Sequence, residues 1–303
     1  MQLKRAHFGR SLALGIVLVG SLLGGVVQAA PQALTITPTS TSPVIKPGQT
    51  FNGTFQIVNN GPTGYDYTVY STPYHVSGED YTPSFNVIRN APDASEWFTL
   101  GTTKGHSSPD QTTTVKYGIT VPASTPPGGY YATVFAQTHT ADASQGGVTV
   151  NERVGEIFYI QVAGPVTQQG KVLGWKLPFV QASPVTASVR LQNTGGLHYP
   201  ATVNYTISDI FGHSKYKFHA THEVLPQTTR RVAMSWDKAP PIGLFKVTGS
   251  ASYLKTTETM HTQWLLVMSN AFRVAFLIIV VILVILWVTR RAARSRAKHK
   301  SGH

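Results

Sequence analysis

Apolar and polar positions alternate in short runs along most of the chain. In Thr50–Gly61, Phe51, Gly53, Phe55 and Ile57 share one face, with Asn52, Thr54 and Gln56 on the other. A period of two is the signature of a strand with one buried face. The same alternation recurs at Tyr65, Tyr67 and Val69, and at Val115, Tyr117, Ile119 and Val121. It returns at Val185, Ala187, Val189 and Leu191, at Val203, Tyr205 and Ile207, and at Val232, Met234 and Trp236. Turn signals such as Asn59-Asn60-Gly61-Pro62 and Asn193-Thr194-Gly195 separate the runs, as a strand-turn-strand protein requires. A short helical turn is predicted at Asp93–Trp97.

Two stretches break the pattern by being continuously apolar. Leu12–Val27 follows Lys4, Arg5 and Arg10 and precedes Ala29 and Ala30, the layout of a secretory signal peptide over residues 1–30. Val274–Thr289 is uncharged and slightly short for a bilayer, and residues back to Ser269 supply the missing turn. The reading is a transmembrane helix over 269–289. Trp264 and Trp287 serve as interfacial anchors, Arg273 snorkels at the outer edge, and Arg290 and Arg291 open a basic tail, 290–303, in the cytoplasm.

Between these ends the chain repeats itself. "PDQTTTVKYGITVPASTPPGGYYATVF" and "LPQTTRRVAMSWDKAPPIGLFKVTG" share a Gln-Thr-Thr start, an alternating strand, a Pro-Pro corner and a returning strand. Proline ends a strand without offering an edge donor. The repeat predicts two tandem immunoglobulin-like β-sandwich domains, 31–165 and 166–263, divided near Gly164-Pro165. The first carries a long aromatic-rich insert, Tyr74 to Ser108, and long inserts often bind.

Charge changes this picture less than its total implies. The net charge is +12, yet ten of the 25 Lys and Arg residues flank the two apolar stretches, and the rest nearly balance 13 Asp and Glu. The basic character is therefore a topology signal, and a nucleic-acid partner is not expected. The absence of cysteine excludes disulfides, thiolate metal sites and a cysteine nucleophile.

Candidate chemistry is sparse. His219 and His222 fall on opposite faces of a predicted strand, so they do not form a metal pair. No paired carboxylates and no Gly-x-Ser-x-Gly elbow occur, so neither catalysis, a metal nor a cofactor is expected. Leu225-Pro226-Gln227-Thr228-Thr229 lies inside the second domain and reads as a loop entering a strand. The insert is the better candidate. Tyr74, Tyr81, Trp97 and Phe98 could stack on sugars while Arg89 meets acidic groups, although Trp97 and Phe98 could equally plug the end of the sandwich.

The ordered set "ITPTSTSPVIKPGQTFNGTFQIVNNG", "SEWFTLG", "TTTVKYGITVPASTPPGGYYATVFA" and "GGVTVNERVGEIFYIQVAG" resembles the peptidoglycan-binding domain of WxL-interacting surface proteins of Gram-positive bacteria. That resemblance implies a membrane-anchored surface scaffold engaging peptidoglycan or neighbouring surface proteins. A chaperone-like accessory factor acting by strand addition is the alternative. The partners' own Trp-x-Leu signature is not credibly present: Trp175-Lys176-Leu177 and Trp264-Leu265-Leu266 match it in letters only.

Overall fold

The computed structural model describes residues 34–89, 91–139 and 152–300, with side chains as far as Arg291. The segment expected to be a signal peptide, 1–30, lies outside the described residues.

The fold is all-β, with two immunoglobulin-like sandwiches and one C-terminal apolar helix. The first sandwich contains β1 (Leu34–Thr37), β2 (Ser40–Thr41), β3 (Val44–Ile45), β4 (Thr50–Asn59), β5 (Tyr65–Pro73), β6 (His75–Ser77) and β7 (Thr82–Ser84). After a 3₁₀ turn at Ser95–Trp97 come β8 (Phe98–Leu100), β9 (Lys104–Ser107), β10 (Thr112–Thr120), β11 (Gly128–His139) and β12 (Arg153–Val162). The second contains β13 (Gly170–Lys176), β14 (Val180–Gln181), β15 (Val185–Asn193), β16 (Tyr199–Asp209), β17 (Ser214–Val224), β18 (Thr228–Trp236), β19 (Ile242–Tyr253) and β20 (Thr256–Met268). Helix α1 spans Asn270–Lys300.

The two sandwiches share one strand order. Sheet β1-β4-β10-β8 faces sheet β2-β12-β11-β5-β9, and sheet β13-β15-β18 faces sheet β14-β20-β19-β16-β17. In both, a short strand early in the domain runs parallel to the last one: β2 and β3 to β12, and β14 to β20. Alternation sets the cores. Phe55, Ile57, Val115 and Ile119 meet Val134, Phe158 and Ile160 in the first, while Val189, Leu191 and Met234 meet Tyr205, Val247 and Leu265 in the second. Each such side chain contributes about 1.5–3 kcal/mol by leaving water.

The two Asn turns do the same work. Asn59 Nδ2 donates to Thr63 O at 2.9 Å and Ser108 O at 3.0 Å, and its Oδ1 accepts from Gly61 N. Asn193 Nδ2 donates to Leu197 O and Val224 O at 2.9 and 2.8 Å, and its Oδ1 accepts from Gly195 N. Both side chains are fully buried, where an unpaired amide would be costly.

Two details depart from the sequence reading. The Gln-Thr-Thr triplets are one residue out of structural step. Gln111 O accepts from Asn59 N, but the residue opposite Asn193 is Thr228. Asp110 and Gln227, both in the left-handed region, are the matching pair. Burial decides this, because Val115 and Val232 must both point inward. The second sandwich also runs past 263, since β20 continues to Met268 before α1 begins.

Candidate functional site

The insert is not an open surface. Strands β6 and β7 form a hairpin that leaves the first sandwich and closes on the second. Its turn carries Gly78 and Tyr81, both in the left-handed region. At its tip, Arg231 N donates to Glu79 O at 2.7 Å, so the hairpin takes up part of the outer edge of β18. Arg190 Nε donates to Glu79 Oε2 and Arg231 Nε to Asp80 Oδ1, both at 2.8 Å. The paired guanidinium holds the exposed Glu79 carboxyl below its usual range.

Tyr81 is the pivot. Its hydroxyl bonds Thr228 Oγ1 and accepts from Leu225 N at 3.0 Å, and the Arg230 guanidinium sits 4.2 Å from the ring centre. Around it Tyr74, Tyr131, Tyr159 and Leu225 form a small core joining the sandwiches. His198 packs against Tyr131 and Tyr159, with Nδ1 3.2 Å from the Tyr131 hydroxyl. Burial pushes the His198 imidazole down to about 4, so it is neutral at pH 7.

The first Pro-Pro corner completes the joint. Gly129 N donates to Gly196 O at 3.1 Å. A Cβ on Gly129 would lie 2.2 Å from the Tyr131 hydroxyl, so the close approach requires glycine.

These contacts correct the predicted ligand face. Tyr74 and Tyr81 are only 5% and 6% exposed and have no free ring face to offer a sugar. Trp97 and Phe98 are half-buried: Trp97 lies 4.8 Å from the Tyr130 ring, and Phe98 4.8 Å from the Phe158 ring. They plug the sandwich end. Arg89 is exposed. The residues that clasp this hairpin, Arg190, Arg230 and Arg231, had a sequence signal, a basic charge opposite to that of Glu79 and Asp80, but no spacing links positions so far apart.

The predicted anchors also separate. Trp287 and Arg291 lie on α1, with the Arg291 guanidinium 5.3 Å from the Trp287 ring, and Arg273 and Arg290 share that helix. Trp264 is not on the helix; it stands half-exposed on the outer face of β20. The helix continues through the basic residues to Lys300.

Places open to a partner among the described residues include three features. The first is the edge of β17, which is free among the described residues. This strand pairs with β16 along its length and is the last strand of its sheet. The facing sheet has only three strands, so Tyr216 and Phe218 are covered only in part. Lys215, Lys217 and His219 line the outward face. The second is a trough of about 600 Å³ on the outer face of β4, β10 and β8, lined by Thr50, Asn52, Thr54, Lys116 and Thr120. The third is a cleft of about 640 Å³ between the sandwiches that includes His198, Glu223 and Lys255.

One buried carboxyl belongs to none of these. Glu156 on β12 points into the first core, where it accepts from Thr41 Oγ1. Burial pushes it up to about 7 and helps push the neighbouring Tyr117 hydroxyl to about 12.

No family model matches the chain, and no curated sequence matches it. Similar solved structures include the CsuC–CsuE chaperone–tip adhesion subunit complex of Acinetobacter baumannii (11% identity, TM-score 0.38, 78% of this chain and 98% of that one). The class 5 fimbriae chaperone CfaA is also similar (9%, 0.38, 78% and 99%), as is the E. coli chaperone DraB (11%, 0.36, 76% and 96%). The fold assignment stands on the strand order of the two sandwiches.

Proposed function

We propose that this chain is a membrane-tethered, non-catalytic binding protein. It takes an extended segment of a partner protein along the free edge of β17. The observation that carries this reading is the edge itself: eleven residues long, at the border of an incompletely covered sheet. Unpaired strand edges bind extended segments through backbone hydrogen bonds, and side chains set the choice. Lys217 guards this edge against its own kind, as edge lysines do, while Lys215 pairs with Asp209 at 3.1 Å. The Lys217 charge favours an acidic partner strand. Protein edges that aggregate carry apolar rows here instead.

The tether is α1. Residues Asn270–Arg291 have a mean hydropathy of 3.0 and no buried share. At 1.5 Å per residue this stretch matches a hydrocarbon core of about 30 Å. The basic residues that follow favour a cytoplasmic end. The clasp holds the sandwiches as one lever, so a partner bound at β17 is held at a fixed distance from the bilayer.

A second reading rests on the outer trough of the first sandwich. Its hydroxyls, amide and Lys116 suit a polar polymer such as peptidoglycan, as the resemblance implies. A photoreactive residue placed at Lys217 or at Lys116 of the full chain in native envelopes separates the two. Crosslinks from 217 to an extended acidic peptide support strand binding. Crosslinks from 116 to wall glycan, with none from 217, overturn it in favour of the trough.

A further inference from the structure

The second sandwich exposes large apolar side chains unevenly. Apart from Leu173 and Leu254, all of them gather at the end from which α1 leaves. Ile210 and Phe211 form the tip of the β16–β17 hairpin, and Phe211 is 79% exposed. Ile242 and Leu244 on β19 pair with Met268 and Leu266 on β20, and Val180 on β14 pairs with Leu266 from the other side. Lys246 pairs with Trp264. Since Phe245, Val247, Leu265 and Val267 point into the core, these partners form one continuous outer face. Phe179, whose carbonyl accepts from Leu266 N, borders it.

That face has a sharp limit. Beyond Lys246 it turns to Thr248, Ser250, Asn204 and Thr262, hydroxyls and an amide lining a shallow cavity. An apolar band ending at a lysine and then at hydroxyls is the profile of a surface that crosses from lipid to water.

The junction to α1 leaves little slack. Only Ser269 separates β20 from the helix, and its N–H donates to Pro241 O at 2.7 Å in the second Pro-Pro corner. The strictly apolar run Val274–Val288 covers only about 22 Å at 1.5 Å per residue. Filling a core of about 30 Å draws Asn270 to the bilayer boundary and the base of the sandwich with it. Trp264 lies six residues up the strand, about 20 Å, beyond the depth of a headgroup layer if the strand stood upright.

We infer that the second sandwich leans over and lays the Phe179–Val180–Leu244–Trp264 face and the Phe211 tip on the lipid surface, with Lys238 and Lys246 toward anionic headgroups. This rests on α1 being a membrane span. It goes beyond tethering, because it fixes the tilt of the domain and turns β17 to one side of the molecule.

Because the chain has no cysteine, single-cysteine versions of the full protein carry one environment-sensitive dye each. The positions are Phe211→Cys, Phe179→Cys, Leu254→Cys as the distal control and Leu283→Cys within the helix. The protein is reconstituted in phosphatidylglycerol–phosphatidylcholine vesicles with and without lipid-borne quencher. The inference expects loss of most emission at 283 and clear loss at 211 and 179, with none at 254. Quenching at 283 alone overturns the leaning domain and leaves the span standing. Blue-shifted but unquenched emission at 211 and 179 overturns it in favour of a protein occupant, such as a second copy. No quenching at 283 overturns both the span and the inference.

Discussion

The two sandwiches are built on one strand order and differ almost entirely at their borders. In the first, the outer edge of β10 is closed by β8, and Trp97 and Phe98 plug the opening beside it. In the second, β18 has no such neighbour strand among the described residues. Its outer edge meets the tip of the clasp at Arg231, and the Tyr216 hydroxyl donates to Ser235 O. The strand facing that gap is short in the first domain, β9, and long in the second, β17. The Pro-Pro corners diverge likewise: one touches the second sandwich through Gly129, and the other holds the start of α1 through Pro241. A repeated frame thus keeps its core and spends its variation on edges, where hydrogen-bonding groups are still free to choose partners.

The largest way to break this comparison is Tyr81→Ala. Truncating a buried aromatic costs about 3–5 kcal/mol. Here the loss falls on the joint, so calorimetry is expected to resolve one melting transition into two. A single transition lowered as a whole would show that the sandwiches are coupled elsewhere. Next come Asn59→Ala and Asn193→Ala, each leaving buried backbone groups unpaired at about 1–3 kcal/mol per group. Equal losses, one in each domain, are expected from denaturant titration of the two variants.

Acidity sharpens the contrast between the joint and the first core. His198 is held neutral to about pH 4 against 6.5 unfolded, so its contribution is present above 6.5 and is lost as pH falls toward 4. Glu156 is held protonated to about 7 against 4.5 unfolded, so its contribution is present below 4.5 and is lost as pH rises through 7. Each is worth on the order of 3 kcal/mol. Burial lowers His75 and His222 and raises Glu223, which adds to the same two sides. Between 4.5 and 6.5 the slopes oppose one another. Glu156→Gln is expected to leave stability climbing with pH across that window, and His198→Asn to leave it falling. Parallel profiles for both variants would refute the assignment. The smallest effect is Lys217→Glu, expected to leave folding unchanged and to weaken capture of an acidic segment at β17, read by the crosslinking yield.

Much of this was legible in the chain. Alternation at Phe55 and Ile57, or at Val203 and Tyr205, fixes strands because a strand's side chains have a period of two. The paired Asn-x-Gly turns and Pro-Pro corners marked the repeat. The joint between the sandwiches was not legible. Tyr74 and Tyr81 read as exposed aromatics in a long insert, and nothing local separates a sugar platform from a buried joint. Trp264 read as a helix-side anchor because distance along the chain was the only distance available.

By itself, then, the sequence determined the long strands, their inward faces, the doubling of the domain and the apolar helix. All of these follow from local period, turn chemistry and uninterrupted hydropathy. Only the tertiary structure decided that the insert folds onto the second sandwich, that Asp110 and not Gln111 matches Gln227, that β17 stands at an uncovered border, and that Phe179, Phe211 and Trp264 share one end. Those facts depend on which distant segments meet, and pairing across a hundred residues is set by the packing of whole faces.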